Sequence, residues 1–223
     1  LTGTPAQEID QQPLTGPTPL LPVQQAFFQR AIPERHHWNQ AVLLSAHAPL
    51  QADALEQALQ ALLLHHDGLR LSFSANTAGW QANYRSVAQQ QQDWQQAPAL
   101  QQANTRTTTE LEELCNQVQA SLDLSQGPLL QAVLVTLADN SQRLLLVAHH
   151  LVIDGVSWRI LLEDLQTAYQ QACAGQIISL PVKTHSSKTW AEHLQRHATQ
   201  GSLAGELAYW QAQLKDAQGT LPG

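Results

Sequence analysis

Two adjacent histidines, His149 and His150, followed by Leu151-Val152-Ile153-Asp154-Gly155, are the residues of this chain best suited to chemistry. Imidazole has the side-chain pKa nearest neutrality, so it is the natural proton acceptor. Asp154 stands four positions after His150 and five after His149. That spacing lets it fold back through a tight loop and fix either the ring or the loop. The bland reading stands beside this one: paired histidines at a strand end are often ordinary loop polars, and Asp-Gly is a common turn. A metal centre fits the spacing less well. Neighbouring residues on an extended strand point to opposite faces, so both rings would not reach one ion.

The elements that must position this motif follow from the pattern around it. Leu144-Leu145-Leu146-Val147-Ala148 is a hydrophobic run that reads as a strand delivering the histidines. Ser157 to Ala174 reads as the helix after the loop, with Ser157 as N-cap and Gly175 beyond its end. Leu130 to Leu137 and Arg143 to Ala148 are two strands joined by Asp139-Asn140-Ser141. Asp53 to His65 places Leu55, Leu59, Leu62 and Leu63 on one helical stripe. Ala41 to His47 reads as a strand, and Leu69 to Ala75 pairs with Trp80 to Arg85 as a hairpin. Pro19 to Arg30 is a short helix capped by Thr18. Thr109-Glu110-Leu111-Glu112 opens a helix to about Leu122. Gln89 to Asn104 is a surface loop of low complexity. Lys188 to Thr199 and Leu203 to Lys215 are further helices. Residues 1 to 17, rich in Pro, Gly, Gln and Thr, form a linker or tail. The mixed order predicts an α/β fold, a mixed sheet layered with helices.

Composition narrows the function classes. Eleven Lys and Arg against 18 Asp and Glu give a net charge of −7, which argues against nucleic acid as partner. No apolar stretch approaches the roughly 20 residues of a membrane span, and no signal pattern opens the chain. A cytoplasmic protein is expected. Cys115 and Cys173 lack metal or redox spacing and are expected as buried free thiols.

The His149-His150-x-x-x-Asp154-Gly155 string resembles the core motif of the condensation-type domains of nonribosomal peptide synthetases, relatives of chloramphenicol acetyltransferase. The continuation Val156-Ser157-Trp158-Arg159-Ile160-Leu161 is similar to the epimerization branch. Leu20 to Phe28, His36-His37-Trp38-Asn39-Gln40, His65 to Phe73 and Leu122 to Leu130 resemble further segments of that branch, in the expected order. The family's domain is larger, built from two related lobes with the active site in the cleft between them. Residues 18 to 223 therefore correspond to an N-terminal lobe of chloramphenicol acetyltransferase type, and the C-terminal lobe is absent from this chain.

The resemblance implies epimerization at the Cα of an aminoacyl or peptidyl thioester. It places His150 at the reacting centre within a catalytic motif that includes His149 and Asp154. His149 is expected to pack inside the fold and Asp154 to organise the loop, in a buried ion pair with Arg70. Gly155, Ser157 and Trp158 are the candidate substrate-binding residues: Gly155 for close approach, Ser157 for a hydrogen bond to the thioester carbonyl or pantetheine arm, Trp158 for the cleft wall. Helix capping for Ser157 and a core position for Trp158 are the plainer alternatives. His36 and His37 have no evident partner. No bound cofactor and no metal are implied, because the substrate arrives on the phosphopantetheine of a carrier domain. The partners implied are that carrier domain, the C-terminal lobe and the neighbouring synthetase modules. The chain alone is expected to be inactive. A condensation domain using the same histidine for amide formation is the alternative, and a non-catalytic carrier-docking lobe a second.

Overall fold

The structure is a computed structural model that describes residues 9–77, 79–201 and 203–215. Its centre is a mixed four-stranded sheet in the order β2 (Asn39–Ser45), β7 (Gln142–His149), β6 (Leu130–Thr136), β5 (Leu100–Asn104). The first three pair antiparallel and β5 runs parallel to β6. Helices cover both faces, which is why β7 reads as an unbroken hydrophobic run rather than an alternating one. Leu144, Leu146 and Ala148 face helices α2 (Ala52–His65) and α5 (Gly155–Cys173). Leu145 and Val147 face Val118 of helix α4 (Thr108–Ala120) and Leu122 just beyond its end. The predicted α2 stripe is buried as expected, with Ala54 and Ala58 added to it.

A second, smaller sheet is antiparallel, in the order β1 (Gly16–Thr18), β4 (Gly79–Tyr84), β3 (Leu71–Asn76). Phe73, Tyr84, Leu124 and Leu129 form its core with Phe27 and Phe28 of α1 (Pro22–Gln29). Phe28 stacks on Trp80 at 4.2 Å between centroids. Helices α6 (Ser187–Thr199) and α7 (Ala204–Leu214) end the described chain.

Several boundaries differ from expectation for identifiable reasons. Thr18 belongs to β1, so α1 begins at Pro22 behind Leu21 instead of behind Thr18. The expected tail is held down where it is described: Leu14 N–H donates to Asp67 Oδ1, and Gln11 exchanges hydrogen bonds with Lys183. Residues 1–8 of that expected tail lie outside the described residues. The Gln-rich segment is a helix, α3 (Val87–Gln96), followed by β5. Ser86 and Gln89 cap α3 reciprocally, and the Glu56 carboxylate of α2 accepts from Ala99 and Leu100 N–H at the head of β5. Helix α4 is capped by Thr107, not opened at Thr109. Cys115 is half-buried and Cys173 is exposed, so only the first approaches the expected burial.

Candidate active site

Strand β7 ends at the motif, and its pleat divides the two histidines. His149 is wholly buried. Its Nε2–H donates to the Arg35 carbonyl at 2.8 Å, and its Nδ1 accepts from Leu151 N–H at 3.1 Å. Phe27 packs edge-on against the ring. Burial, opposed only partly by the Arg35 contact, pushes the His149 pKa down to about 4. His149 is therefore neutral near pH 7 and packed inside the fold.

His150 is exposed, and its protonation pattern follows from its neighbours. Nδ1 lies 2.8 Å from the carbonyl oxygen of Ile153, which can only accept, so Nδ1 carries the hydrogen. Nε2 is then the lone-pair nitrogen. Gln40 Nε2 stands 3.3 Å from it as donor. The Gln40 carboxamide is itself oriented: Trp158 Nε1–H donates to its Oε1 at 3.0 Å. An indole N–H never accepts, so the oxygen must face Trp158 and the NH2 must face His150. The backbone completes the frame, with His150 N–H donating to the Trp38 carbonyl at 2.9 Å and Asn39 paired with His149. The result is an exposed imidazole of fixed tautomer whose Nε2 faces the Gln40 amide. Such a nitrogen can accept a proton.

Asp154 is the N-cap of α5. Its Oδ1 accepts from Ser157 N–H at 2.8 Å and from the Ser157 hydroxyl at 2.7 Å. These bonds hold its carboxyl below the usual range. The expected N-cap at Ser157 is thus corrected by three residues. The Ser157 hydroxyl hydrogen is committed to Asp154, so it is not a free donor for a substrate carbonyl. Gly155 opens the helix with open space where a Cβ would stand. Trp158 is buried in the core, as the plainer alternative had it, but with its indole hydrogen turned to the motif.

The expected Asp154–Arg70 ion pair does not form. Arg70 is fully buried and pairs with Asp67 at 2.6 Å, while Asp67 also takes Lys183 Nζ at 3.0 Å. The guanidinium donates further to the carbonyls of Leu63 and Leu64 at the end of α2, and of Leu14 and Arg85. Its planar fork matches this set of converging oxygens, and it satisfies helix-end carbonyls that would otherwise be orphaned. Asp154, with its exposed carboxylate already satisfied locally, offers no comparable partner. His36, expected without a partner, accepts from Leu124 N–H through Nδ1 and lies 3.6 Å from Asp123.

Gln40 is the site residue that sequence alone does not reveal. It stands in the His36-His37-Trp38-Asn39-Gln40 segment, yet a glutamine carries no titratable signal, and its partner lies 110 positions away. A second polar cluster sits further along α5. His66 Nε2 lies 2.9 Å from Asp164 Oδ2, with His65 beside it. Their donor atoms fall within 4.8 Å of one another, a spacing that a metal ion accepts. Burial lowers the pKa of both histidines. They border a cleft of about 780 Å³ that Ser157 also lines, and neither His150 nor Gln40 belongs to its wall.

Comparison with known proteins agrees with this architecture. The family model described as "Condensation domain" matches residues 15–223. One of the linear gramicidin synthase proteins of Brevibacillus parabrevis is 45% identical over 210 residues, which cover 92% of this chain and 3% of that protein. Tyrocidine synthase 2 of the same organism is 38% identical over 205 residues, covering 92% of this chain and 6% of that protein. Among solved structures, the epimerization domain from the third module of tyrocidine synthetase B superposes with a TM-score of 0.82 at 34% identity. The match covers 96% of this chain and 48% of that one. The X-domain from teicoplanin biosynthesis, at 20% identity and a TM-score of 0.76, shares the fold. The chain thus spans about half of the solved domains it matches and a small part of the synthases.

Proposed function

The chain belongs to the condensation-domain family, and from that premise we propose that it is one lobe of an amino-acid epimerization site in a nonribosomal peptide synthetase. The observation that carries the reading is His150: exposed, with Nδ1 protonated against the Ile153 carbonyl and Nε2 basic. A thioester Cα–H is acidified by its carbonyl. His150 Nε2 takes that proton from one face, and a glutamate of the second lobe returns one to the other. The substrate is an aminoacyl or peptidyl thioester on the phosphopantetheine of a carrier domain. The likeness to the tyrocidine synthetase epimerization domain, well above the condensation domains in identity, supports the epimerization branch.

The test is solvent-deuterium incorporation at the substrate Cα by a polypeptide carrying both lobes. His150→Ala should reduce it by about 10²–10⁴-fold, the usual contribution of a general base, with the fold intact because His150 is exposed. Undiminished exchange in a folded His150→Ala protein would refute the role. Peptide-bond formation with an acceptor substrate, and no Cα exchange, would instead assign the same histidine to condensation.

A further inference from the structure

The base alone leaves half of the proton abstraction unsupported. When the Cα–H bond breaks, the proton bonds to His150 Nε2 and the electron pair moves into an enolate whose charge sits on the thioester oxygen. A preorganised donor at that oxygen is commonly the largest catalytic contribution in such steps.

Gln40 is placed for it. Its Nε2 is 3.3 Å from His150 Nε2. In a thioester the Cα and the carbonyl oxygen are about 2.4 Å apart, from standard bond lengths. A base on the Cα hydrogen and a donor on the oxygen must therefore stand a few ångströms apart, which these two nitrogens do. Trp158 holds Oε1 and fixes which end of the carboxamide faces the base. The amide carries two hydrogens, and among the described residues His150 is the one protein acceptor that they meet. The indole that orients the amide is itself anchored in the core beside Leu161 and Leu165, so which end of the amide faces the site is set before substrate binds.

Resting on the assignment of His150 as base, we infer that the Gln40 side-chain amide, oriented by Trp158, is the hydrogen-bond donor to the thioester oxygen of the carrier-bound substrate. Without substrate the amide shields the basic nitrogen. With substrate it pivots onto the carbonyl oxygen, which frees the Nε2 lone pair for the Cα proton. On reprotonation of Cα the pair returns, the carbonyl re-forms, and charge leaves the oxygen.

The experiment compares Gln40→Leu, Gln40→Glu and Trp158→Phe with His150→Ala, in a polypeptide carrying both lobes and using the loaded carrier domain of the same synthetase. Cα deuterium exchange is measured with long-range ¹H–¹⁵N spectra of the His150 ring. Gln40→Leu should lower kcat for exchange by about 10²-fold with KM little changed, because the contact strengthens only as charge develops. Gln40→Glu keeps the shape but presents an acceptor. It should lose at least as much activity and raise the His150 pKa, a spectroscopic change that a packing role would not produce. Trp158→Phe should fall between Gln40→Leu and the parent protein, with the amide no longer held one way round. Exchange within about threefold of the parent in folded Gln40→Leu would overturn the inference, whatever His150→Ala does; threefold is far below the usual cost of losing an oxyanion donor. Persistent exchange in folded His150→Ala would instead overturn the assignment of the base.

Discussion

At the scale of single residues, the pleat of β7 separates two identical side chains into different chemistry. His149 gives up its basicity to burial, and His150 is exposed with Nε2 against the Gln40 amide. The cost of the first is measurable. The folded pKa of His149 is about 4 against an ordinary 6.5, so protons bind the unfolded chain preferentially. Its contribution to stability is complete above pH 6.5 and is lost as pH falls through the window from 6.5 to 4. The full loss is about 3 kcal/mol at 1.36 kcal/mol per pKa unit. His65 and His66 shift in the same direction and add to the trend. Urea midpoints between pH 7 and 4 should fall steeply for the parent protein and less steeply for His149→Gln, which should already be less stable at pH 7. Equal slopes would show that His149 titrates normally.

The same scale separates Asp154 from Arg70. Asp154 is a helix cap, so Asp154→Ala should cost about 1 kcal/mol, and Asp154→Asn less, since asparagine caps equally well. Arg70 is a buried strut. Arg70→Ala leaves Asp67 without its main partner and should cost about 3–5 kcal/mol. Denaturant titration of the two variants checks the order. A larger loss from Asp154→Ala would restore the motif aspartate as the structural centre. The family resemblance pairs these two residues by their motif positions. What it lacks is the path of the chain: Asp67, three residues before Arg70, reaches the guanidinium first.

At the scale of elements, legibility follows the source of each element's stability. Helix α2 is plain in the sequence because its leucines recur on one helical period, and strands β6 and β7 because they are nearly continuous apolar runs. Helix α3 and strand β5 read as a loop because glutamine dominates Gln89 to Asn104 and its large apolar residues are Trp94 and Leu100 alone. Helix α3 is held at its start by the Ser86–Gln89 cap and through its body by Trp94, which packs against the core. Strand β5 exists because β6 offers an open parallel edge and Glu56 fixes the N–H groups of Ala99 and Leu100. Those are long-range causes, and no local window contains them. The same limit hides Gln40. Its strand is legible, but its partners, His150 and Trp158, lie beyond the end of β7 and on α5, and only the assembled sheet brings the three together.

At the scale of the whole molecule, the site is one-sided. In the proposed reading His150 and Gln40 supply a base and a donor, and both stand where β2 and β7 meet the start of α5. Asp154, the nearest carboxylate in sequence, is occupied with the N–H and hydroxyl of Ser157. Inversion needs a second proton carrier on the opposite face of the planar intermediate, and the proposed reading assigns that to the other lobe. Helix α7 is consistent with a surface built to be covered, with Leu207, Tyr209, Trp210 and Leu214 all exposed. These two halves of the reaction separate experimentally. The 223-residue chain by itself should give no D-aminoacyl thioester from an L-aminoacyl carrier domain, because the proposed reading assigns the second proton carrier to the other lobe. Addition of the second lobe as a separate polypeptide should restore inversion, and restoration should require His150. Chiral chromatography of the hydrolysed thioester reads the outcome directly. Inversion by the 223-residue chain alone would mean that its own residues supply both proton carriers, and the search for the second would return to the groups within reach of His150.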